Sequence, residues 1–178
     1  SGEVEGTDGQ PRWHVDPLDG TTNFLHGIPI FASSIALERQ GQIVAGVIYN
    51  PVMDELYTAE KGGGAWLNNK RLRVAGRTHL ADAVITTGIK VTGTGDDART
   101  LGQLNKISPA CAGIRRTGAA ALDLAWTAAG RFDAYWERNI KPWDMAAGLL
   151  LVREAGGLAT DLAGGSDMYG TGTVLCGA

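Results

Sequence analysis

The chain lacks the features that mark several large classes of protein. Only two cysteines, Cys111 and Cys176, occur among its 178 residues, which argues against a disulfide scaffold and favours a reducing compartment. No segment has about 18 consecutive apolar residues, the length that a membrane span needs. The sequence also does not open with the basic and then apolar residues of a signal peptide. The net charge is −3, without a dense basic cluster, which argues against nucleic acid as a partner. We therefore expect a cytoplasmic protein that binds neither a membrane nor a nucleic acid.

What is present indicates one domain with two differently built halves. A chain of this length can bury a core as a single domain or a compact two-lobed unit. Short β-branched and aromatic runs separated by turn residues predict an antiparallel meander of strands at 30–37, 43–50 and 55–59, a further hairpin at 65–67 and 72–74, and another strand at 84–87, so that residues 1–87 are mainly a β meander. After a loop at 88–97, helices are predicted at 98–107, 119–129 and 142–155, and strands at 132–137, 158–160 and 173–176. This order predicts a layered α+β or α/β fold, with an alternating α/β lobe in 88–178.

The most informative pattern is the run from residue 13 to residue 24. It reads Trp-His-Val-Asp-Pro-Leu-Asp-Gly-Thr-Thr-Asn-Phe. Pro17 fixes its own φ and favours an extended backbone at Asp16, so we predict that the chain leaves a strand, turns sharply and points Asp16 and Asp19 at one place. Gly20 permits close approach of the backbone to a ligand, and a helix beginning near Thr21 turns free N–H groups towards a phosphate. Two carboxylates beside such a helix predict Mg²⁺ between protein and phosphate.

A third carboxylate stands near the start of a predicted helix, in Lys141-Pro142-Trp143-Asp144. An acid in the first helical turn is commonly no more than a charge that suits the helix dipole. Here Trp143 and the apolar run after Asp144 indicate a buried setting, in which an aspartate needs a partner such as a cation. We therefore predict one metal site formed by Asp16, Asp19 and Asp144.

Two other patterns have ordinary interpretations. The glycines at 62–64 resemble a phosphate loop in composition alone, and without a following Lys-Ser/Thr and helix they predict a turn. Arg115 and Arg116 are open to three roles: binding a second substrate anion, facing a partner subunit, or lying in solvent. His14 and His26 are expected to be structural or exposed, because Mg²⁺ prefers oxygen ligands.

At this point two segments resemble the signatures of a known family, the Mg²⁺-dependent, lithium-sensitive inositol monophosphatases. The run 13–24 is similar to the first signature, and Trp143-Asp144-x-Ala-Ala-Gly with Glu154-Ala-Gly-Gly is similar to the second. The chain between them also resembles the family at 46–51, 61–65, 115–125 and 130–137. The resemblance implies a bacterial member with the layered αβαβα sandwich of the sugar phosphatases.

The resemblance implies a catalytic role for four positions, the acids Asp16, Asp19 and Asp144 and the hydroxyl of Thr21, which would help to orient the attacking water. Two or three Mg²⁺ ions would be held by the same three carboxylates together with the backbone carbonyl of Leu18. Water would be the nucleophile, because no Cys or His stands beside the aspartates as an activated nucleophile. Asp16 would bridge the ions.

The resemblance also implies how the substrate is bound. Phosphate would accept hydrogen bonds from the backbone N–H groups of Gly20 and Thr21. The polyol side of the pocket would be lined by Gly118, Ala119 and Ala120, and Glu137 would accept a hydrogen bond from a substrate hydroxyl.

One departure from the family concerns the start of the chain. The family has two helices and then a Glu-Glu pair before the position of Ser1, and the first of these acids binds metal. Glu3 and Glu5 are expected on a loop a few residues past that pair and are not expected to replace it. The family also continues beyond the position of Ala178. We therefore expect 1–178 to be one domain of this family that is truncated at both ends, without the N-terminal helices, and to be impaired as a catalyst by itself.

The function implied is hydrolysis of a small polyol phosphate, with inositol 1-phosphate as the first choice and a homodimer as the expected assembly. Glu137 favours a polyol because a carboxylate accepts hydroxyl donors. Alternatives within the same chemistry are histidinol phosphate, a sugar bisphosphate such as fructose 1,6-bisphosphate, and 3′-phosphoadenosine phosphate. The alternative of a different class is a non-catalytic protein-binding role associated with RNA polymerase.

Overall fold

The computed structural model describes residues 2–4, 10–89 and 96–178. Within these residues seven strands form a first sheet, in which every strand pairs antiparallel with the next one along the chain. In chain order they are β1 Gly2–Val4, β2 Arg12–Asp19, β3 Ala32–Arg39, β4 Gln42–Asn50, β5 Glu55–Glu60, β6 Gly64–Leu67 and β7 Lys70–Arg71. The predicted meander is therefore confirmed as far as residue 71, whereas the predicted strand at 84–87 belongs to the second sheet.

The two faces of the first sheet differ in exposure. Side chains of a strand alternate between faces, and on the inner face Ala36, Ile48 and Tyr57 are almost completely buried. On the outer face Ile35 and Tyr49 remain more than a third exposed although both are apolar or aromatic. The sheet is thus covered on one side only within the described residues.

Five strands of the described chain form a second, mixed sheet. They are β8 Val84–Thr87, β9 Gly113–Arg115, β10 Ala134–Arg138, β11 Leu158–Thr160 and β12 Thr173–Gly177, and their order in the sheet is β11-β12-β10-β8-β9. β8 is parallel to both of its neighbours, whereas β12 is antiparallel to β10 and β11.

Two helices of the described chain fill the layer between the sheets. The helices are α1 Thr21–Leu25, α2 Asp96–Ile107, α3 Ala120–Ala128, α4 Pro142–Glu154 and α5 Met168–Thr171, with 3-10 turns at Leu80–Asp82 and Ser108–Ala110. α4 packs on the inner face of the first sheet, and α3 contacts α4 and the second sheet. This packing is close because the chain uses glycine at the crossings: a methyl group on Gly148 would overlap Leu124.

α2 covers part of the outer face of the second sheet, where Leu104 and Ile107 pack against a small buried cluster that contains Ile85 and Trp136. The described layers are therefore sheet, helices, sheet and helix, in agreement with the predicted layered α/β fold. No helix among the described residues has the length and apolar character that crossing a membrane requires.

Three local predictions are wrong. The chain does not turn sharply at Pro17, because β2 continues to Asp19. The predicted strand at 72–74 is absent: β7 ends at Arg71, and only the Leu72 amide still donates to the Ala65 carbonyl, at 2.8 Å. Glu3 lies in strand β1, opposite His14, and not on a loop.

The remaining boundaries are close to the predicted ones. α2 begins at Asp96, within the expected loop, and β9 and α5 are elements that the sequence patterns did not indicate. Glu5 and residues 90–95 of the predicted loop lie outside the described residues.

Candidate metal centre and substrate cleft

A β-bulge at the end of β2 positions the first two aspartates. β2 pairs with β3 from Arg12 to Asp16, and the register then shifts so that Asp19 lies opposite Ala32. Residues three apart in a regular strand point to opposite faces, and the one extra residue returns Asp16 and Asp19 to the same face. Pro17 suits this place because it has no N–H to contribute to the ladder. The Leu18 amide donates to Asp16 Oδ1 at 3.1 Å and holds the bulge.

The turn from β2 into α1 requires glycine. Gly20 has a φ of 84°, and a Cβ there would lie 2.8 Å from the Ile30 carbonyl oxygen and 3.2 Å from Ala119 Cβ. The Phe24 amide donates to the Gly20 carbonyl at 3.0 Å, so a helical turn begins here as predicted. Thr21 donates its hydroxyl to the Leu18 carbonyl at 3.0 Å. The turn thus places a main-chain amide pair and a hydroxyl beside the two acids.

The third aspartate comes from the start of α4. Pro142 occupies the first helical turn, where its missing N–H costs no hydrogen bond. Asp144 Oδ2 accepts a hydrogen bond from the Lys141 amide at 3.1 Å, and Ser34 of β3 donates to the Trp143 carbonyl at 3.4 Å. Helix α4 therefore presents Asp144 to the strand that neighbours β2.

The three aspartates converge as predicted. Carboxylate oxygens of Asp16, Asp19 and Asp144 all lie within 4.8 Å of one another, and Asp16 and Asp19 are only 7% and 9% exposed. Burial raises the pKa of the Asp19 carboxyl to about 8; the Ala121 amide, which donates at 2.7 Å, opposes this shift, whereas the charges of Asp144, Asp16 and Glu137 add to it. Three converging carboxylates repel one another until a cation neutralises them.

This donor set fits a magnesium ion. Mg²⁺ takes hard oxygen ligands and is commonly held by one or two carboxylates together with substrate phosphate. Asp16, Asp19 and Asp144 supply such oxygens from three points of the fold, and the Leu18 carbonyl lies in the same bulge. The three aspartates are thus a group of oxygens that could hold a cation, and they do not define the number of ions.

A small cleft of about 90 Å³ extends from this cluster. It contains Asp19 and Asp144 at one end, and its walls are formed by Gly88, Ile89, Arg116, Gly118, Ala119, Ala120 and Glu137. Glu137 is only 5% exposed, and the hydroxyl of Tyr135 donates to its Oε2 at 2.5 Å. The cleft thus runs from a metal-binding set of acids to a single buried carboxylate.

One side chain ties the cleft wall to the metal-binding turn. Asn23 of α1 donates to the carbonyls of Ile30 and Thr117, at 2.8 and 2.9 Å. The next residue, Gly118, has a φ of 84° and passes close to this amide. The segment 117–120 and the turn at 20–23 are therefore one connected unit.

All predicted site residues lie at this centre: Asp16, Leu18, Asp19, Gly20 and Thr21 in the bulge and turn, Asp144 on α4, and Gly118, Ala119, Ala120 and Glu137 in the cleft wall. Three further wall residues were not assigned to the site by sequence reasoning. Arg116 had three open roles, and Gly88 and Ile89 carried no signal because they belong to a loop that only the fold brings here. The predicted turn at 62–64 is confirmed, and Glu154 accepts hydrogen bonds from the Gly62 and Gly64 amides at 2.8 and 2.9 Å.

The two-sheet fold, the aspartate cluster and the adjoining cleft define the class of protein. The sequence model of the Inositol monophosphatase family matches residues 1–178, and the chain belongs to that family. It is 62% identical over 176 residues to the Inositol-1-monophosphatase of Mesorhizobium japonicum, which is 99% of this chain and 66% of that protein. It is 46% identical over 177 residues to the Nus factor SuhB of Escherichia coli strain K12, again 99% of this chain and 66% of that protein.

The solved structures agree with this placement. The crystal structure of the extragenic suppressor protein suhB from Bartonella henselae matches with a TM-score of 0.95 and 56% identity, over 99% of this chain and 69% of that one. The chain spans about two thirds of the length of the curated relatives that it matches.

Proposed function

We propose that the protein containing this chain is a Mg²⁺-dependent phosphomonoesterase that hydrolyses inositol 1-phosphate to inositol and phosphate. One observation carries the proposal: the convergent aspartates lie at one end of a cleft whose other wall contains the buried carboxylate of Glu137. A phosphate ester with a polyol leaving group has matching groups: its phosphate can bind a metal ion at one end, and its hydroxyl groups can donate hydrogen bonds at the other. The name of the Mesorhizobium japonicum relative supports the same substrate.

In this proposal the metal ligands are Asp16, the Leu18 carbonyl, Asp19 and Asp144. When bound, Mg²⁺ supplies Lewis acidity to the phosphoryl oxygens and a more acidic bound water. The amides of Gly20 and Thr21 donate to the phosphate. Because the Thr21 hydroxyl donates its proton to the Leu18 carbonyl, its own lone pairs are left to accept a hydrogen bond from the attacking water and so to orient it.

Glu137 and the segment 118–120 hold the polyol. Gly118, Ala119 and Ala120 have little or no side chain, so a ring can approach the backbone of this wall. The carboxylate of Glu137 accepts the Tyr135 hydroxyl through Oε2, and a carboxylate can accept several hydrogen bonds, so hydroxyl donors of a polyol suit it. Polyol hydroxyls are therefore bound through hydrogen bonds that an ester without hydroxyls does not make.

A phosphate-release assay of the full-length gene product tests the proposal. Inositol 1-phosphate, histidinol phosphate, fructose 1,6-bisphosphate and 3′-phosphoadenosine phosphate are compared with and without Mg²⁺, and the family resemblance adds inhibition by lithium as an expected result. We expect Mg²⁺-dependent release that is fastest from inositol 1-phosphate. Faster release from another ester would change the substrate, and release that ignores Mg²⁺ would refute the metal mechanism. Sedimentation of the same sample tests the proposed homodimer.

A protein-binding role is the second candidate, because the Escherichia coli relative with 46% identity is named a Nus factor. The aspartate cluster argues against a purely structural role, since like charges gathered at a partly buried point are costly without a cation. Absence of phosphate release from all four esters, in a folded protein that binds Mg²⁺, would favour this candidate.

A further inference from the structure

Glu137 is held at the cleft wall from two sides. It lies on β10, next to the end of the parallel strand β8, where Trp136 is paired with Thr87. Gly88 directly follows that strand, and a methyl group built on its Cα would overlap the carboxyl carbon and both oxygens of Glu137. On the other side the Tyr135 hydroxyl donates to Glu137 Oε2 at 2.5 Å. The carboxylate therefore occupies the space that any side chain at position 88 would take.

The backbone itself does not require glycine at position 88. Gly88 is absent from the described glycines with a φ in the left-handed region, in contrast to Gly20 and Gly118. An alanine at 88 would therefore not be forced into the left-handed region, and the three atoms nearest to its methyl group all belong to the carboxylate of Glu137. Since that carboxylate is the end of a flexible side chain, the conflict can be relieved by rotating Glu137 and leaves the fold intact.

We propose that Gly88 is a specificity-determining residue: by lacking a side chain it lets the Glu137 carboxylate stand in the cleft wall, where it selects esters that carry hydroxyl groups. The inference rests on the function proposed above and names a residue outside the predicted site. Tyr135 acts with it as a positioning residue, because its hydroxyl is completely buried and donates to this carboxylate. Moving the carboxylate would leave that buried donor unpaired, so the observed position is favoured only while position 88 is empty.

The test compares Gly88→Ala with Gly76→Ala in the full-length gene product. Gly76 is a matched control, because it also lies outside the left-handed region and a Cβ there meets nothing within 4 Å. Two substrates are used: inositol 1-phosphate, and p-nitrophenyl phosphate, which has no hydroxyl group. For Gly88→Ala we expect kcat/KM for inositol 1-phosphate to fall about tenfold or more, mainly through KM, as for loss of a hydrogen bond to a charged group. For p-nitrophenyl phosphate we expect a change of less than about twofold, and for Gly76→Ala no change with either substrate.

A double-mutant cycle separates the effect of Gly88 from general damage to the cleft. If the methyl group acts by displacing Glu137, adding Gly88→Ala to Glu137→Ala has no further effect on inositol 1-phosphate. Tyr135→Phe is expected to raise the same KM in the same direction, by less than Gly88→Ala. Equal losses on both substrates, or additive losses in the cycle, would overturn the inference.

A crystal structure of Gly88→Ala gives a readout that does not depend on activity. We expect the Glu137 carboxylate to be turned away from the Tyr135 hydroxyl, with the rest of the fold unchanged. Retention of that hydrogen bond refutes the role of Gly88 even in an active enzyme. If instead wild type releases no phosphate from inositol 1-phosphate while Glu137 moves as expected, the proposed substrate has failed and the structural part of the inference stands.

Discussion

Two clusters around buried acids, one at Glu55 and one at Asp19, differ in the charges beside the acid. Glu55 is 8% exposed and accepts hydrogen bonds from Arg131, at 3.0 and 2.5 Å, and from the Tyr57 hydroxyl, at 2.6 Å. Burial alone would raise the pKa of Glu55, but these hydrogen bonds lower it below the usual value. Asp19 is buried to a similar degree among further acids, and its pKa rises to about 8. The chain itself supplies the positive charge beside Glu55, whereas the three aspartates at Asp19 form a group that could hold a metal ion.

The two buried acids differ in what surrounds them. Both are less than a tenth exposed, but burial is the largest cause of the raised pKa of Asp19, whereas hydrogen bonds outweigh burial at Glu55. Glu55 has an arginine and a phenol beside it, and Asp19 has two aspartates and a glutamate. A substitution in the Asp19 cluster should therefore reduce activity with little change in stability. A substitution in the Glu55 cluster should reduce stability and leave activity unchanged.

The largest effect is expected for Asp16→Asn. In the full-length gene product this change should reduce Mg²⁺-dependent phosphate release by about 10³-fold or more, because metal catalysis supplies several kcal/mol of the lowered barrier. The unfolding midpoint without Mg²⁺ should change little. Phosphate release and circular dichroism measure the two quantities, and an Asp16→Asn protein that keeps most of its activity would refute the metal assignment.

The second effect concerns binding of Mg²⁺ to the folded protein. At an Mg²⁺ concentration of about 100 times its Kd, binding to the native state alone stabilises by about 2.7 kcal/mol. We expect Mg²⁺ to raise the thermal unfolding midpoint of wild type. In Asp144→Asn most of this increase should be lost. Calcium-free, EDTA-treated samples at equal ionic strength serve as the control, and an equal shift in both proteins contradicts the predicted ligand set.

The third effect belongs to the other cluster. Arg131→Met should reduce the free energy of unfolding by about 2 kcal/mol, less than for a fully buried ion pair because Arg131 is partly exposed. Urea denaturation measures the change. Activity per folded molecule should be unchanged, and a selective loss of activity would show that the two clusters are not independent.

The smallest effect is expected at the far end of α4. Glu154→Gln keeps the shape of the side chain but removes the negative charge of the carboxylate, which accepts hydrogen bonds from the Gly62 and Gly64 amides. Because hydrogen bonds to a charged group are stronger than neutral ones, we expect a loss of about 1 kcal/mol in urea denaturation. Glu60→Gln, a change of a neighbouring exposed acid, is the control and should be close to neutral.

The sequence predicts the elements better than it predicts how they are joined. The strands at 84–87 and 158–160 have the predicted bounds, because alternating or β-branched runs end at clear turn residues. The sharp turn predicted at Pro17 is wrong because the fixed φ of proline suits a turn and a bulge equally well, and only the pairing with β3 distinguishes them. Three-residue β9 is too short to have a pattern of its own.

The site divides in the same way. Asp16, Asp19 and Asp144 are predictable from local chemistry and from the resemblance, since each stands in a recognisable motif. Arg116, Gly88 and Ile89 are not, because their places in the cleft depend on the order of strands in the second sheet, which is a long-range property. Gly88 is the clearest example. It contributes by leaving room for the Glu137 carboxylate, and no sequence pattern indicates that a glycine has this role.

The bulge in β2 gives position 18 an unusual tolerance. Its carbonyl oxygen receives the Thr21 hydroxyl, and its amide holds the Asp16 carboxylate, so everything that this position supplies to the centre belongs to the main chain. The leucine side chain is therefore exchangeable for other aliphatic groups. Deleting residue 18 would instead remove the β-bulge and the carbonyl oxygen that accepts the Thr21 hydroxyl. A residue must therefore be present at position 18, whereas the identity of its side chain matters little.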